Sequence, residues 1–93
     1  MLNFTETDID EDVDIMLDKL FTKQIVVYND DVNTFEHVIA CLMKYLKHTP
    51  EQAEQCAWII HQNGKCSVKN GTYEELLPMN TALTDQGLSS VIE

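Results

Sequence analysis

A helix bracketed at both ends constrains this chain more than any other feature. Thr49-Pro50-Glu51-Gln52 supplies a capping hydroxyl, a proline at the first helical position where its missing N–H costs nothing, and a glutamine placed to close a capping box. Asn63-Gly64 ends the helix, because glycine is free to take positive φ. Between these limits Ala53, Cys56, Ala57 and Ile60 mark a stripe that must be buried against something.

The flanking sequence says against what. Ile25-Val26-Val27-Tyr28 is a short β-prone run ended by the turn formers Asn29-Asp30-Asp31. Asn33, followed three residues on by Glu36, predicts a capping box. The helix it opens places Val38, Ile39, Leu42, Met43 and Leu46 on one face and should stop near His48. Lys65 to Lys69 alternates as a second strand, closed by an Asn70-Gly71 turn. Thr72-Tyr73-Glu74-Glu75 is a further capping box, and Leu76, Leu77 and Leu83 follow it. Pro78 is expected to kink or shorten this last helix, Gly87 to stop it, and Leu88 to Ile92 to form the final strand. The order strand, helix, helix, strand, helix, strand predicts a small two-layer α+β sandwich, a three-stranded sheet with three helices on one face.

A chain of 93 residues has room for one domain. Residues 1–22 read as an acidic leader, with seven carboxylates (Glu6, Asp8, Asp10, Glu11, Asp12, Asp14, Asp18) against Lys19 alone. Ile9, Val13, Met16, Leu17 and Leu20 recur there at helical spacing, so the segment reads as a solvated tail with a transient helix or as one that orders on a partner. The folded domain is expected over 23–93.

Charge narrows the function. Sixteen acidic residues face six lysines and no arginine, for a net charge of −10. Nucleic acid and anionic membranes both demand a basic footprint, so neither is an expected partner, and a cationic group fits better. No apolar run approaches spanning length and the first residues lack signal-peptide character, so a cytoplasmic location is expected. Cys41, Cys56 and Cys66 each sit in an apolar stretch and read as buried hydrophobes in a reducing compartment.

Catalytic patterns fail. There is no Gly-rich phosphate loop, nucleophile elbow, paired-His helix or paired CxxC. Cys56 and His61 fall off a shared helix face, which disfavours a Cys–His nucleophile. Cys56, His61 and Cys66 match no zinc spacing, and Asp31-Val32-Asn33 opens like a calcium loop but lacks its central glycine. Neither enzyme chemistry, a metal nor a cofactor is expected. Taken locally, Asn29, Asp30 and Asp31 either cap a turn or bind a ligand, and His61 is either a surface residue in a last helical turn or part of the same site.

The joint order of these segments carries more. Val27-Tyr28-Asn29-Asp30-Asp31, then Glu36-x-Val38-Ile39-x-x-Leu42, then Ala53-Glu54-Gln55, then Ile60-His61-Gln62-Asn63-Gly64-Lys65-Cys66, and the ending Gly87-Leu88 to Glu93, resemble the ClpS family, adaptors of Clp ATPases. The resemblance runs over residues 23–93. It implies an adaptor that binds N-degron substrates, proteins whose first residue is large and apolar, and hands them to a Clp protease through the N-terminal domain of its ATPase; a monomer is expected. It implies capture of the α-amino group by Asn29, Asp30, Asp31 and His61, with Asp31 the first choice of carboxylate. It also implies an apolar pocket from Val32, Phe35, Ala57, Ile60 and Leu88, and ATPase docking that includes Glu74. Phe35 and Ala57 stand where many members carry Met, and Pro78-Met79 depart from the usual docking stretch. Those departures leave open an alternative, a module that docks on a Clp ATPase without recognising N-termini.

Overall fold

The computed structural model describes residues 22–93, so apart from Thr22 the acidic leader lies outside the described residues. The element order is β1 (Lys23–Tyr28), α1 (Phe35–Leu46), α2 (Pro50–Asn63), β2 (Lys65–Gly71), α3 (Tyr73–Asp85) and β3 (Ser89–Ile92). This is the expected small α+β fold.

β1 is the middle strand of the order β2-β1-β3 and runs antiparallel to both neighbours. Its uninterrupted Ile25-Val26-Val27 suits that place, since all three are buried. The β1–β2 register slips between Ile25 and Val26, where Ile25 faces Lys69 and Val26 faces Ser67. Val68 is the extra residue of a bulge. Its side chain joins the core, and its carbonyl accepts a hydrogen bond from His48 Nε2 at 2.7 Å, which ties the α1–α2 link to the sheet.

The core lies between sheet and helices. Ile25 and Val27 meet Val38, Cys41, Leu42 and Leu46 of α1, Ala53, Ala57 and Ile60 of α2, and Leu76 and Leu83 of α3. Each large aliphatic side chain buried here is worth roughly 1.5–3 kcal/mol, against about 1 kcal/mol for a helix cap. Docking of the helices therefore dominates stability, and the caps set where each helix begins. Ser90, buried opposite Val27, satisfies its hydroxyl by donating to Asn80 Oδ1 at 2.8 Å.

Both threonine capping boxes form, Thr49 with Gln52 and Thr72 with Glu75, and Gly64 takes φ 89° after α2. Three local expectations are corrected. Asn33 is not the cap of α1; Thr34 is, its hydroxyl accepting from the His37 N–H at 3.1 Å. Met43 lies outside the buried stripe of α1, while Cys41 is buried there as expected. Asn70 and Gly71 make no turn but continue β2, paired with Gln24 and Lys23, because β1 extends back to meet them. Pro78 lies inside α3, which runs on to Asp85, in agreement with the expected stop at Gly87. The carbonyl that Pro78 leaves without a donor belongs to Glu74, an exposed residue open to water.

Candidate functional site

The site forms where four elements end or begin together: the C-terminus of β1, the N-terminus of α1, the last turn of α2 and the start of β3. One backbone bond brings the first and third together. The Asn29 N–H donates to the Gly64 carbonyl at 2.8 Å, so the turn after β1 is pinned beside the end of α2, one turn from His61.

The turn is held internally by Asp30. Its Oδ1 accepts the backbone N–H groups of Val32 at 3.0 Å and Asn33 at 2.8 Å. Its Oδ2 accepts the Asn33 side-chain amide at 2.8 Å and the Ser89 hydroxyl at 2.9 Å. The same Asn33 amide donates to the Gly87 carbonyl at 2.8 Å. Asp30 and Asn33 thus buckle the turn to the α3–β3 link, where Gly87 takes φ 89°, a conformation that favours glycine. Hydrogen bonds from the Asn33 backbone above all, working against partial burial, hold the Asp30 carboxyl down at about 2 from an ordinary 3.8.

Around this buckle the acceptors divide into two groups. Asp30 has both oxygens engaged. Among the described residues, the side chains of Asn29, Asp31 and His61 have no hydrogen-bond partner, and all three are exposed. They converge on one open bay of about 530 Å³, lined by Asn29, Asp30, Asp31, Asn33, Phe35, Glu36, Trp58 and His61. Three carboxylates and no lysine face it. The last turn of α2 adds the partial negative charge of a helix C-terminus. Such a bay attracts a cation with several donors.

Beside it is a smaller cavity of about 50 Å³, lined by Asn29, Asn33, Phe35, Val38, Ala57, Ile60 and His61. Asn29, Asn33, Phe35 and His61 border both spaces, so the smaller cavity adjoins the bay. Of the apolar residues expected from sequence, Phe35, Ala57 and Ile60 are brought together here. Leu88 is buried and lines an adjoining void of about 20 Å³ with Ile60, Asp30 and Asn33. Val32 lines none of these spaces and is 86% exposed, because the Asp30 turn points it outward. Glu74 lies apart from all three cavities, exposed in the first turn of α3.

Thiol chemistry finds no support at this site. Burial, then the neighbouring Cys56, pushes the Cys66 thiol up to about 11, and burial raises Cys41 as well. Neither is poised as a thiolate. Among the described residues there is no cluster of three or more His, Cys, Asp or Glu side chains suited to a metal.

The model of one protein family, ATP-dependent Clp protease adaptor protein ClpS, matches residues 20–90. The chain belongs to the ClpS family. The ClpS adapter protein of Thermosynechococcus vestitus is 37% identical over 67 residues, spanning 71% of this chain and 71% of its own length. Those of a Synechocystis species and a Nostoc species are each 34% identical, over 71% of this chain and 68% and 69% of their own lengths. The family match over residues 20–90 spans β1 through α3.

The bay and the smaller cavity also take in Asn33, Glu36, Val38 and Trp58, none of which was expected there from the ClpS resemblance. Trp58 contributes an aromatic wall. Its ring meets Phe35 edge-to-face, centroids 5.1 Å apart at 63°, and His61 at 6.3 Å and 72°. The available signal was spacing: Trp58 precedes His61 by three residues on α2, so the two share a helix face.

Proposed function

We propose that this ClpS-family chain is an adaptor that captures the free N-terminus of substrate proteins with a large apolar first residue and delivers them to a Clp ATPase–protease. The observation that carries the reading is the division of labour in the turn: Asp30 is spent on architecture, while Asn29, Asp31 and His61 stand unpaired around one acidic bay. A protonated α-amine is a cation with three donors, and these three acceptors answer it. An acetylated or internal residue brings neither the charge nor the donors, and leaves the acceptors unmatched.

The first side chain then enters the apolar cavity between Phe35, Ala57 and Ile60. Its volume of about 50 Å³ is well below the ~150 Å³ of a dry cavity that holds benzene. A leucine needs less displacement of Phe35 than an aromatic residue does. Docking on the ATPase N-terminal domain falls to α3, where Tyr73 and Leu77 stand exposed one turn apart beside Glu74. These two apolar residues extend the surface assigned to Glu74 alone.

A second reading, docking on a Clp ATPase without N-terminus recognition, takes its support from the small inner cavity. Retention from cell extract separates the two. Immobilised wild type should retain a Clp ATPase together with proteins carrying bulky apolar N-termini, and His61→Ala should retain the ATPase alone. Identical retention by both proteins favours the second reading.

A further inference from the structure

We propose that the outer bay is a subsite for the second residue of the captured chain, and that it selects a long planar cation, arginine above lysine, and rejects an acid. This rests on the reading of the site as an N-terminus receptor and deepens it.

The two spaces differ in what lines them. Asn29, Asn33, Phe35 and His61 are common to both; Asp30, Asp31, Glu36 and Trp58 line only the outer one. The inner cavity holds one side chain at most, while the adjoining bay is about ten times larger, about 530 Å³ against 50 Å³. An α-amine held at Asn29, Asp31 and His61 leaves most of that bay for the residues after the first. Successive side chains of an extended chain point to opposite sides. With the first directed into the apolar cavity, the second is directed away from it, toward the bay's outer walls.

Those walls have a defined chemistry. The Asp30 carboxylate is fully engaged with Val32, Asn33 and Ser89, and Asp31 is assigned to the amine. Glu36 and Trp58 remain, and neither has a hydrogen-bonding partner among the described residues. Trp58 is 48% exposed, unusual for a side chain that prefers burial, yet it is braced by Phe35 and His61 rather than loose. A braced, half-open indole and a free carboxylate on the walls of one bay match a guanidinium, which can stack on an aromatic face and pair with an acid. Lysine gains the charge without the planar stacking. A second-position glutamate meets Asp31 and Glu36 and is repelled.

Fluorescence-labelled peptides that differ only at the second residue (Leu-Arg, Leu-Lys, Leu-Ala, Leu-Glu), with acetylated Leu-Ala as a reference, test this on the full chain. The expected order of affinity is Arg, Lys, Ala, Glu, with Arg roughly five- to tenfold tighter than Ala. Trp58→Ala and Trp58→Leu should each bring the Arg-to-Lys ratio toward one, and Glu36→Gln should narrow the gap between Arg and Glu. Equal affinity for all four second residues, with acetylation still abolishing binding, overturns the subsite and leaves the amine site standing. Insensitivity to acetylation overturns the amine site and the subsite with it.

Discussion

Asp30 and Asn33 are joined twice: one carboxylate oxygen accepts the Asn33 backbone N–H and the other its side-chain amide, both at 2.8 Å. The aspartate is therefore a structural member of the turn, and its chemistry shows in stability. Asp30→Ala removes an acceptor from four donors and should cost about 1–3 kcal/mol, seen as a lower urea midpoint with an unchanged slope.

The same carboxylate gives a pH signature. Its folded value of about 2 lies below the ordinary 3.8. Its contribution is thus complete above about pH 4 and is lost as pH falls toward 2, where the folded state also becomes protonated. Urea titrations at pH 5, 4, 3 and 2 should show wild type losing stability across that window, while Asp30→Asn loses less. Parallel loss in both proteins assigns the acid sensitivity to other groups.

Asp31 and His61 behave in the opposite way. Both are exposed and neither carries a hydrogen bond that holds the fold, so Asp31→Ala and His61→Ala should unfold at wild-type urea concentrations. Binding of a Leu-initiated peptide should fall at least tenfold in each, in keeping with roughly 1.5–3 kcal/mol for a charge-assisted hydrogen bond. Isothermal titration alongside the denaturation curves checks both halves.

On the proposed reading, size selection falls to Phe35 and Ala57. Ala57→Met fills the cavity floor and should abolish binding of Leu-initiated peptides, with a stability cost of about 1–3 kcal/mol for overpacking a buried site. Phe35→Ala removes the ring that rests on Trp58 and should shift preference from Leu toward Phe and Trp. A panel of peptides differing in the first residue reads this directly.

Docking should separate from capture. Leu77→Glu, on the exposed side of α3, should weaken binding to the Clp ATPase N-terminal domain at least tenfold while leaving peptide affinity within twofold. Surface plasmon resonance with the isolated ATPase domain measures the first, and peptide titration the second.

Most of the fold was legible because local signals and the tertiary structure agree. Thr49 with Gln52 and Thr72 with Glu75 satisfy their helix starts from within four residues, and nothing distant competes for them. Asn33 misled for the opposite reason. Its amide is drawn to Asp30 and to Gly87 across the fold, so the neighbouring Thr34 hydroxyl caps α1 instead. Asn70-Gly71 carries a strong turn signal, but the pairing partners that hold it in β2, Gln24 and Lys23, lie far away in sequence. The site was half legible. Asn29, Asp31 and His61, which line one bay, were singled out through the family pattern, yet no spacing rule distinguishes Asp30, whose four donors come partly from Ser89. Trp58 was hidden because a half-exposed tryptophan on a helix looks the same in sequence whether it packs against a core or walls a bay.

The central claim is capture of a free amine by Asn29, Asp31 and His61. Fluorescence polarisation of one Leu-initiated peptide, compared with the same peptide acetylated at its N-terminus, tests it most directly. The account predicts saturable binding of the free peptide and at least a hundredfold weaker binding of the acetylated one, from the loss of the charge and of donors to two or more acceptors at once. Equal affinity for the two peptides would contradict it.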